Sequence, residues 1–178
     1  MARVFTAIDI EDDKILKELE NVRDTIDLGF SQVPGEKMHV TLQFFEDIDR
    51  EQIKKVEKTL DNIEVDPFGA EIRSVGAFPS EDYIRVVWAG MKFHEVFDLQ
   101  KQAKVHDVPS ENHDEFKPHI TFLRVDDVSG KRKEKLQRSI QEFKEYSFGT
   151  VEVESVKIFE SELKPSGSEY TVLSEHEL

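Results

Sequence analysis

The chain has 178 residues, 38% of them hydrophobic and 13 of them phenylalanine, enough for one good core or two small lobes that share one. Its charged residues, 35% of the total, are mostly acidic and leave a net charge of −14. That charge argues against general electrostatic binding to nucleic acid or an anionic membrane, while leaving room for one phosphate in a local pocket; the absence of cysteine excludes disulfides, thiolate zinc sites and cysteine nucleophiles.

Residues 3–10 alternate as a strand, with Val4, Ala7, Ile8 and Ile10 apolar. The segment lacks the basic-then-apolar order of a signal peptide, and no apolar run reaches membrane-spanning length, so a cytoplasmic protein with no membrane partner is expected. Residues 12–28 read as a helix, with Ile15, Leu16, Leu19, Val22 and Ile26 at three- and four-residue steps and Gly29 as its stop. Pro34-Gly35 marks a turn, and a strand follows at about 38–45. Residues 50–63 carry a helical stripe of Ile53, Val56, Leu60 and Ile63. Two strands, 70–78 and 83–91, are joined across Pro79-Ser80-Glu81-Asp82. A weaker helix spans 93–105, residues 107–115 are polar and irregular, a strand covers about 117–125, and a helix 130–143. The remainder reads as two strands, about 150–160 and 169–175, around Pro165-Ser166-Gly167-Ser168.

This order echoes itself. Strand, helix, turn, strand, helix, strand runs over 3–78 and again over 83–160, with no linker rich enough in Pro, Gly or Ser to separate the halves. The expected architecture is α+β: one domain over 1–178, with two pseudo-symmetric lobes. Each lobe is an antiparallel sheet with helices on its outer face, and a concave groove lies between them.

One short pattern occurs at the equivalent place in each half: His39-Val40-Thr41-Leu42 and His119-Ile120-Thr121-Phe122. Side chains alternate along a strand, so the histidine and threonine of each copy share a face. Val40, Leu42 and Phe44, like Ile120 and Phe122, are expected to point the other way, into the core. A single histidine on a strand is ordinarily a hydrogen-bonded structural residue; a matched pair with matched threonines points to chemistry. Of two imidazoles facing across a groove, the neutral one takes a proton from water and the protonated one gives a proton to the leaving oxygen. The threonine hydroxyls suit the non-bridging oxygens of a phosphoryl group. Such a layout favours hydrolysis of a strained diester such as a 2′,3′-cyclic phosphate. Zinc would require a third protein ligand, and none stands near the motifs, so no metal and no cofactor are expected. His94, His106, His113 and His176 have no matched neighbours and read as structural or exposed.

At these residues the chain resembles the two-histidine phosphoesterases, and more closely the RNA 2′,3′-cyclic phosphodiesterases, historically called 2′-5′ RNA ligases. The resemblance runs through Phe5-Thr6-Ala7-Ile8-Asp9, Met38 to Phe44, Gly76-Ala77-Phe78-Pro79, Arg85 to Gly90, Phe116 to Arg124, Phe159 to Leu163 and Gly167 to Tyr170. It implies metal-independent hydrolysis of RNA 2′,3′-cyclic phosphate ends to 2′-phosphates, and for some members the joining of tRNA halves. It also implies His39 as proton donor to O3′, His119 as proton acceptor from water, and Thr41 and Thr121 as phosphate-binding hydroxyls. Arg124 is implied as a further phosphate or ribose contact; its alternative is a strand-end ion pair. The expected partner is such an RNA end, bound by a monomer. A small cyclic nucleotide, an ADP-ribose cyclic phosphate, or a module that binds RNA ends without reacting them are the rival readings.

The chain departs from the family pattern at Gln43-Phe44-Phe45-Glu46-Asp47, where related proteins often read Lys-Phe-Leu-Gly-Glu. The replacement by Gln43 is expected to remove a cation from the His39 and Thr41 face. Lys37 and Lys117, each two residues before a motif histidine, are expected to supply local positive charge at the groove. Phe116 and Tyr83 are candidates for base stacking, with Phe116 the better fit to a core.

Overall fold

Asp12 opens the first helix by accepting from the backbone N–H groups of Lys14 and Ile15, and Asp49 opens the second in a reciprocal capping box with Gln52. The computed structural model describes residues 1–111 and 115–178. In chain order its elements are β1 (Ala2–Asp9), α1 (Asp13–Ile26), β2 (Ser31–Gln32), β3 (His39–Ile48), α2 (Arg50–Asp61), β4 (Phe68–Pro79), β5 (Ile84–Lys92), α3 (Glu95–Ala103), β6 (His119–Arg124), α4 (Gly130–Glu142), β7 (Ser147–Val153), β8 (Ser155–Lys164) and β9 (Gly167–Glu177). A short 3-10 turn, Gly35–Lys37, leads into β3.

The strands form an all-antiparallel sheet in the order β7-β4-β5-β6-β3-β1-β8-β9, with β2 on the outer end of β6. The fold is the two-lobed α+β arrangement expected. One lobe is β7-β4-β5-β6, backed by α1 and α4; the other is β3-β1-β8-β9, backed by α2 and α3. The lobes join where β3 meets β6, through the single registered pair Val40–Ile120, so the two expected sheets run on as one.

The helices bury their apolar stripes against one face of this sheet. Leu19 and Ile26 of α1, Val56 of α2, Leu99 of α3 and Leu136 and Ile140 of α4 are fully covered there, with Val4, Val40, Ile72 and Ile120 from the strands. At about 25 cal/mol per Å² of apolar area, this continuous layer is the main favourable contribution to folding. The opposite face carries a smaller cluster, Phe5, Ala7 and Phe159 with Phe44 and Tyr170 against it. That cluster floors the groove.

The strand expected at about 150–160 is two strands. β7 pairs with β4 in one lobe, and β8 pairs with β1 in the other. The chain changes lobes at Glu154, between two runs of alternating residues. Neither Gly nor Pro marks the crossing, so the sequence pattern reads straight through it. By the same exchange β4, which closes the first half of the chain, lies in the lobe of the second half.

Candidate active site

Val40 and Ile120 are fully buried, so the residues one step to either side of each face the groove. In the register they set, His39 falls opposite Thr121 and Thr41 opposite His119. Diagonal positions of a regular antiparallel ladder lie about 7–8 Å apart. All four side chains line one cavity of about 400 Å³, together with Arg124. The structure therefore brings together His39, Thr41, His119, Thr121 and Arg124.

Both imidazoles are anchored alike. His39 Nδ1 donates to the Lys37 carbonyl at 2.8 Å, and His119 Nδ1 to the Lys117 carbonyl at 2.5 Å. A carbonyl only accepts, so Nδ1 carries the proton in both rings and proton transfer falls to Nε2. In the neutral ring of His39, Nε2 accepts from the Thr41 hydroxyl at 3.0 Å. Burial holds the His39 pKa below its ordinary value; the Lys37 carbonyl and the Asp9 carboxylate oppose this, and Arg124 and His119 reinforce it.

Each motif strand carries a bulge at the same step. Leu42 is the extra residue of β3 against Thr6 and Ala7, and Phe122 the extra residue of β6 against Val87 and Trp88. A bulge reverses the alternation beyond it. Arg124, out of phase with His119 and Thr121 by strict alternation, is thereby turned to the groove, and its counterpart Phe44 turns with it. The expectation that Phe44 enters the core is corrected for that reason. So is the expectation for Gln43, which does not share the His39 and Thr41 face. Its side chain is buried, donating to the Val105 carbonyl and Ser110 Oγ while accepting from the Val105 N–H.

Arg3, Lys37 and Arg124 line the cavity, and no carboxylate does so among the described residues. In a chain of net charge −14 this is a local concentration of positive charge. Among the described residues, no group of three or more His, Cys, Asp or Glu is placed to hold a metal ion.

Residues 8–88 and 95–170 match the family model of the LigT-like phosphoesterases. The chain belongs to this family. A protein of Methanocaldococcus jannaschii named RNA 2′,3′-cyclic phosphodiesterase is 30% identical, over 97% of this chain and 99% of its own length. A protein of the same name from Methanothermobacter thermautotrophicus is 33% identical over 95% of each chain. Among solved structures, a Thermus thermophilus protein, TT0787, superposes with a TM-score of 0.82 at 25% identity, covering 99% of this chain and 97% of that one. Escherichia coli LigT in its apo form shares the fold, with a TM-score of 0.76 at 20% identity, over 99% and 97% of the two chains.

The groove of this LigT-like protein also holds residues that the sequence reading missed. Phe5 stacks on His39 with ring centroids 4.8 Å apart, and Tyr170 meets both edge-on at 5.0 and 5.6 Å. On the other side Phe78 meets His119 edge-on at 4.7 Å and packs on Trp88 at 5.2 Å. These walls pack against the two imidazoles. A pattern of β1 residues alternating toward the His39 face was the available signal for Phe5.

Of the two flanking lysines, Lys37 lines the cavity and donates to the Ser168 carbonyl at 2.7 Å, which ties the β8–β9 hairpin to the motif. Lys117 stands over the Phe78 ring instead, 5.8 Å from its centroid. Phe116 packs on Phe97 against the core, and Tyr83 contacts Arg85; neither lines the cavity. His94 lies beside Glu95, His106 is exposed, and His176 links Ser174 to Asp61. His113 lies outside the described residues.

Proposed function

We propose that this protein hydrolyses RNA 2′,3′-cyclic phosphate ends to 2′-phosphates by a metal-independent acid–base mechanism. The observation that carries the reading is the pair of Nδ1-anchored imidazoles lining one cation-rich cavity with two threonine hydroxyls. The names of the relatives, RNA 2′,3′-cyclic phosphodiesterase, support the substrate class.

In this mechanism His119 Nε2 takes a proton from water as its oxygen bonds to phosphorus. The P–O3′ bond breaks, and His39 Nε2 gives its proton to O3′. Thr41, Thr121 and Arg124 hold the non-bridging oxygens, whose charge grows in the transition state. The partly buried His39 favours its neutral form before substrate binds. A bound phosphate adds negative charge beside the ring and favours the imidazolium that the donor role needs. With a 5′-hydroxyl in place of water, the same steps form a 2′–5′ linkage, the ligase reaction.

The test is incubation with an oligoribonucleotide ending in a 2′,3′-cyclic phosphate, with EDTA present, and identification of the product end. A 2′-phosphate is expected. Binding without turnover would favour a module that only holds RNA ends, and turnover of small cyclic nucleotides alone would move the substrate to that class. His39→Ala and His119→Ala are each expected to lower kcat/KM by several orders of magnitude, and the double variant by little more, because the pair acts as one unit. Full turnover in either single variant would remove that histidine from the mechanism.

A further inference from the structure

From His39 a row of rings leads along the groove to a cation. Phe5 stacks on the imidazole at 4.8 Å, Phe44 follows Phe5 at 6.2 Å, and the Arg3 guanidinium lies 5.3 Å from the Phe44 centroid. Arg3 stands on β1 opposite Ser161 of β8, and both line the cavity. Its backbone is four residues from Ala7, the β1 residue opposite Thr41, or about 13 Å along the strand. Arg3 therefore belongs to a different part of the groove from the threonine hydroxyls.

The guanidinium has donors to spare. Of its five N–H groups, Nε is buried without a hydrogen-bond partner among the described residues. Among the described residues its one ion-pair partner is Glu46, 3.7 Å away with its side chain 58% exposed, a weak surface pair. The Phe44 ring supports the guanidinium through a cation–π contact, and the side chain stays 36% exposed. A planar, ring-supported fork with unused donors is suited to a phosphodiester.

We infer that Arg3 binds the phosphodiester next to the reacting one, on the 5′ side of the cyclic end, and so makes the groove a reader of an RNA strand rather than of a mononucleotide. This rests on the cyclic phosphodiesterase reading above. The Phe5–Phe44 floor carries the terminal nucleoside between the two anion positions. Lys37, the other cation on this side of the cavity, has its ammonium on the Ser168 carbonyl, which leaves Arg3 as the group for the second phosphate.

The experiment compares kcat/KM for three substrates: adenosine 2′,3′-cyclic monophosphate, the dinucleotide ApA ending in a 2′,3′-cyclic phosphate, and that dinucleotide with an uncharged methylphosphonate between its nucleosides. A charge-assisted contact predicts a dinucleotide preference of about tenfold or more, absent from the methylphosphonate. In Arg3→Gln the ratio of dinucleotide to mononucleotide is expected to fall to about one, and in Arg3→Lys to an intermediate value. An unchanged ratio in Arg3→Gln, or a methylphosphonate as good as the phosphodiester in the wild type, would overturn the assignment. The second of these comparisons needs no variant to fold. Equal turnover of all three substrates by the wild type removes the Arg3 subsite alone, whereas turnover of none removes the proposed function and the subsite with it.

Discussion

Lys157 offers the sharpest test of the groove's electrostatics. It lies on the groove face of β8, opposite Ala7, with 7% of its surface exposed. Its ammonium donates to Asp9 at 2.9 Å and to Glu11 at 2.6 Å, and Asp9 is itself opposite His39. Burial pulls the lysine pKa down, but the bonds to Glu11 and Asp9 more than reverse this, so the group stays charged well above neutral pH. Lys157→Met keeps the apolar stem and deletes the charge. Removing one partner of a fully buried pair costs about 3–5 kcal/mol. Here Asp9 keeps 21% and Glu11 66% of its side-chain surface in water. Solvent screening of the stranded carboxylates therefore lowers the expected loss to about 2–3 kcal/mol. For a chain of this size that lowers Tm by about 4–12 °C. Urea melts followed by Trp88 fluorescence should show a lower midpoint at unchanged slope. Adding Asp9→Asn removes the stranded charge and should recover most of the loss, which gives a coupling energy between the two sites. A loss under about 1 kcal/mol, or no recovery in the double variant, would refute this account of the pair. Turnover adds a second readout: with Lys157 gone, Asp9 acts on His39 unopposed, and the limb of the pH profile governed by His39 should move to higher pH.

Gly76→Ala would place a Cβ 2.3 Å from the Trp88 ring, and Trp88 supports the Phe78 wall of His119. A stability loss of about 1–3 kcal/mol together with a lower kcat/KM is expected, and a variant with normal melting and turnover would show that the indole has room to move. Gln43→Leu strands the N–H and the carbonyl of Val105, for a loss of about 2–4 kcal/mol in a urea melt; a loss below about 1 kcal/mol would mean that water replaces the amide. His39 is held below its unfolded pKa of about 6.5, so the unfolded chain takes up its proton first as pH falls. The stability from the neutral ring is present above about pH 6.5 and is lost below it, so the stability curve of His39→Gln should be flatter between pH 8 and pH 5. Parallel curves for the two proteins would contradict that sign.

Helices whose stripes repeat at three and four residues, such as Ile15 to Ile26, were legible from sequence because the period is long and the caps are marked. The shared placement of His39, Thr41, His119 and Thr121 on the groove was legible because two residues apart on a strand means one face. Alternation failed where the backbone departs from it. The bulges at Leu42 and Phe122 turn Phe44 and Arg124 to the groove and send Gln43 inward, and nothing in a run of apolar residues announces an extra one. The lobe change at Glu154 was hidden for a related reason: partner choice between β4 and β1 is a long-range decision that local alternation does not encode. The anchoring of both rings on Lys37 and Lys117 was hidden because backbone carbonyls do the anchoring, and the lysine side chains that drew notice do not.

The exchange of strands between the lobes has a temporal consequence. The half of the sheet that carries His39 is finished by β8 and β9, residues 155–177, which are synthesised long after β1 and β3. A nascent chain on the ribosome can close the His119 side once β7 has emerged, yet Phe159, Ser161, Ser168 and Tyr170 are still missing from the other wall. Such late, distant pairings are slow to form, so the His39 wall of the groove is completed only once β8 and β9 have paired onto β1.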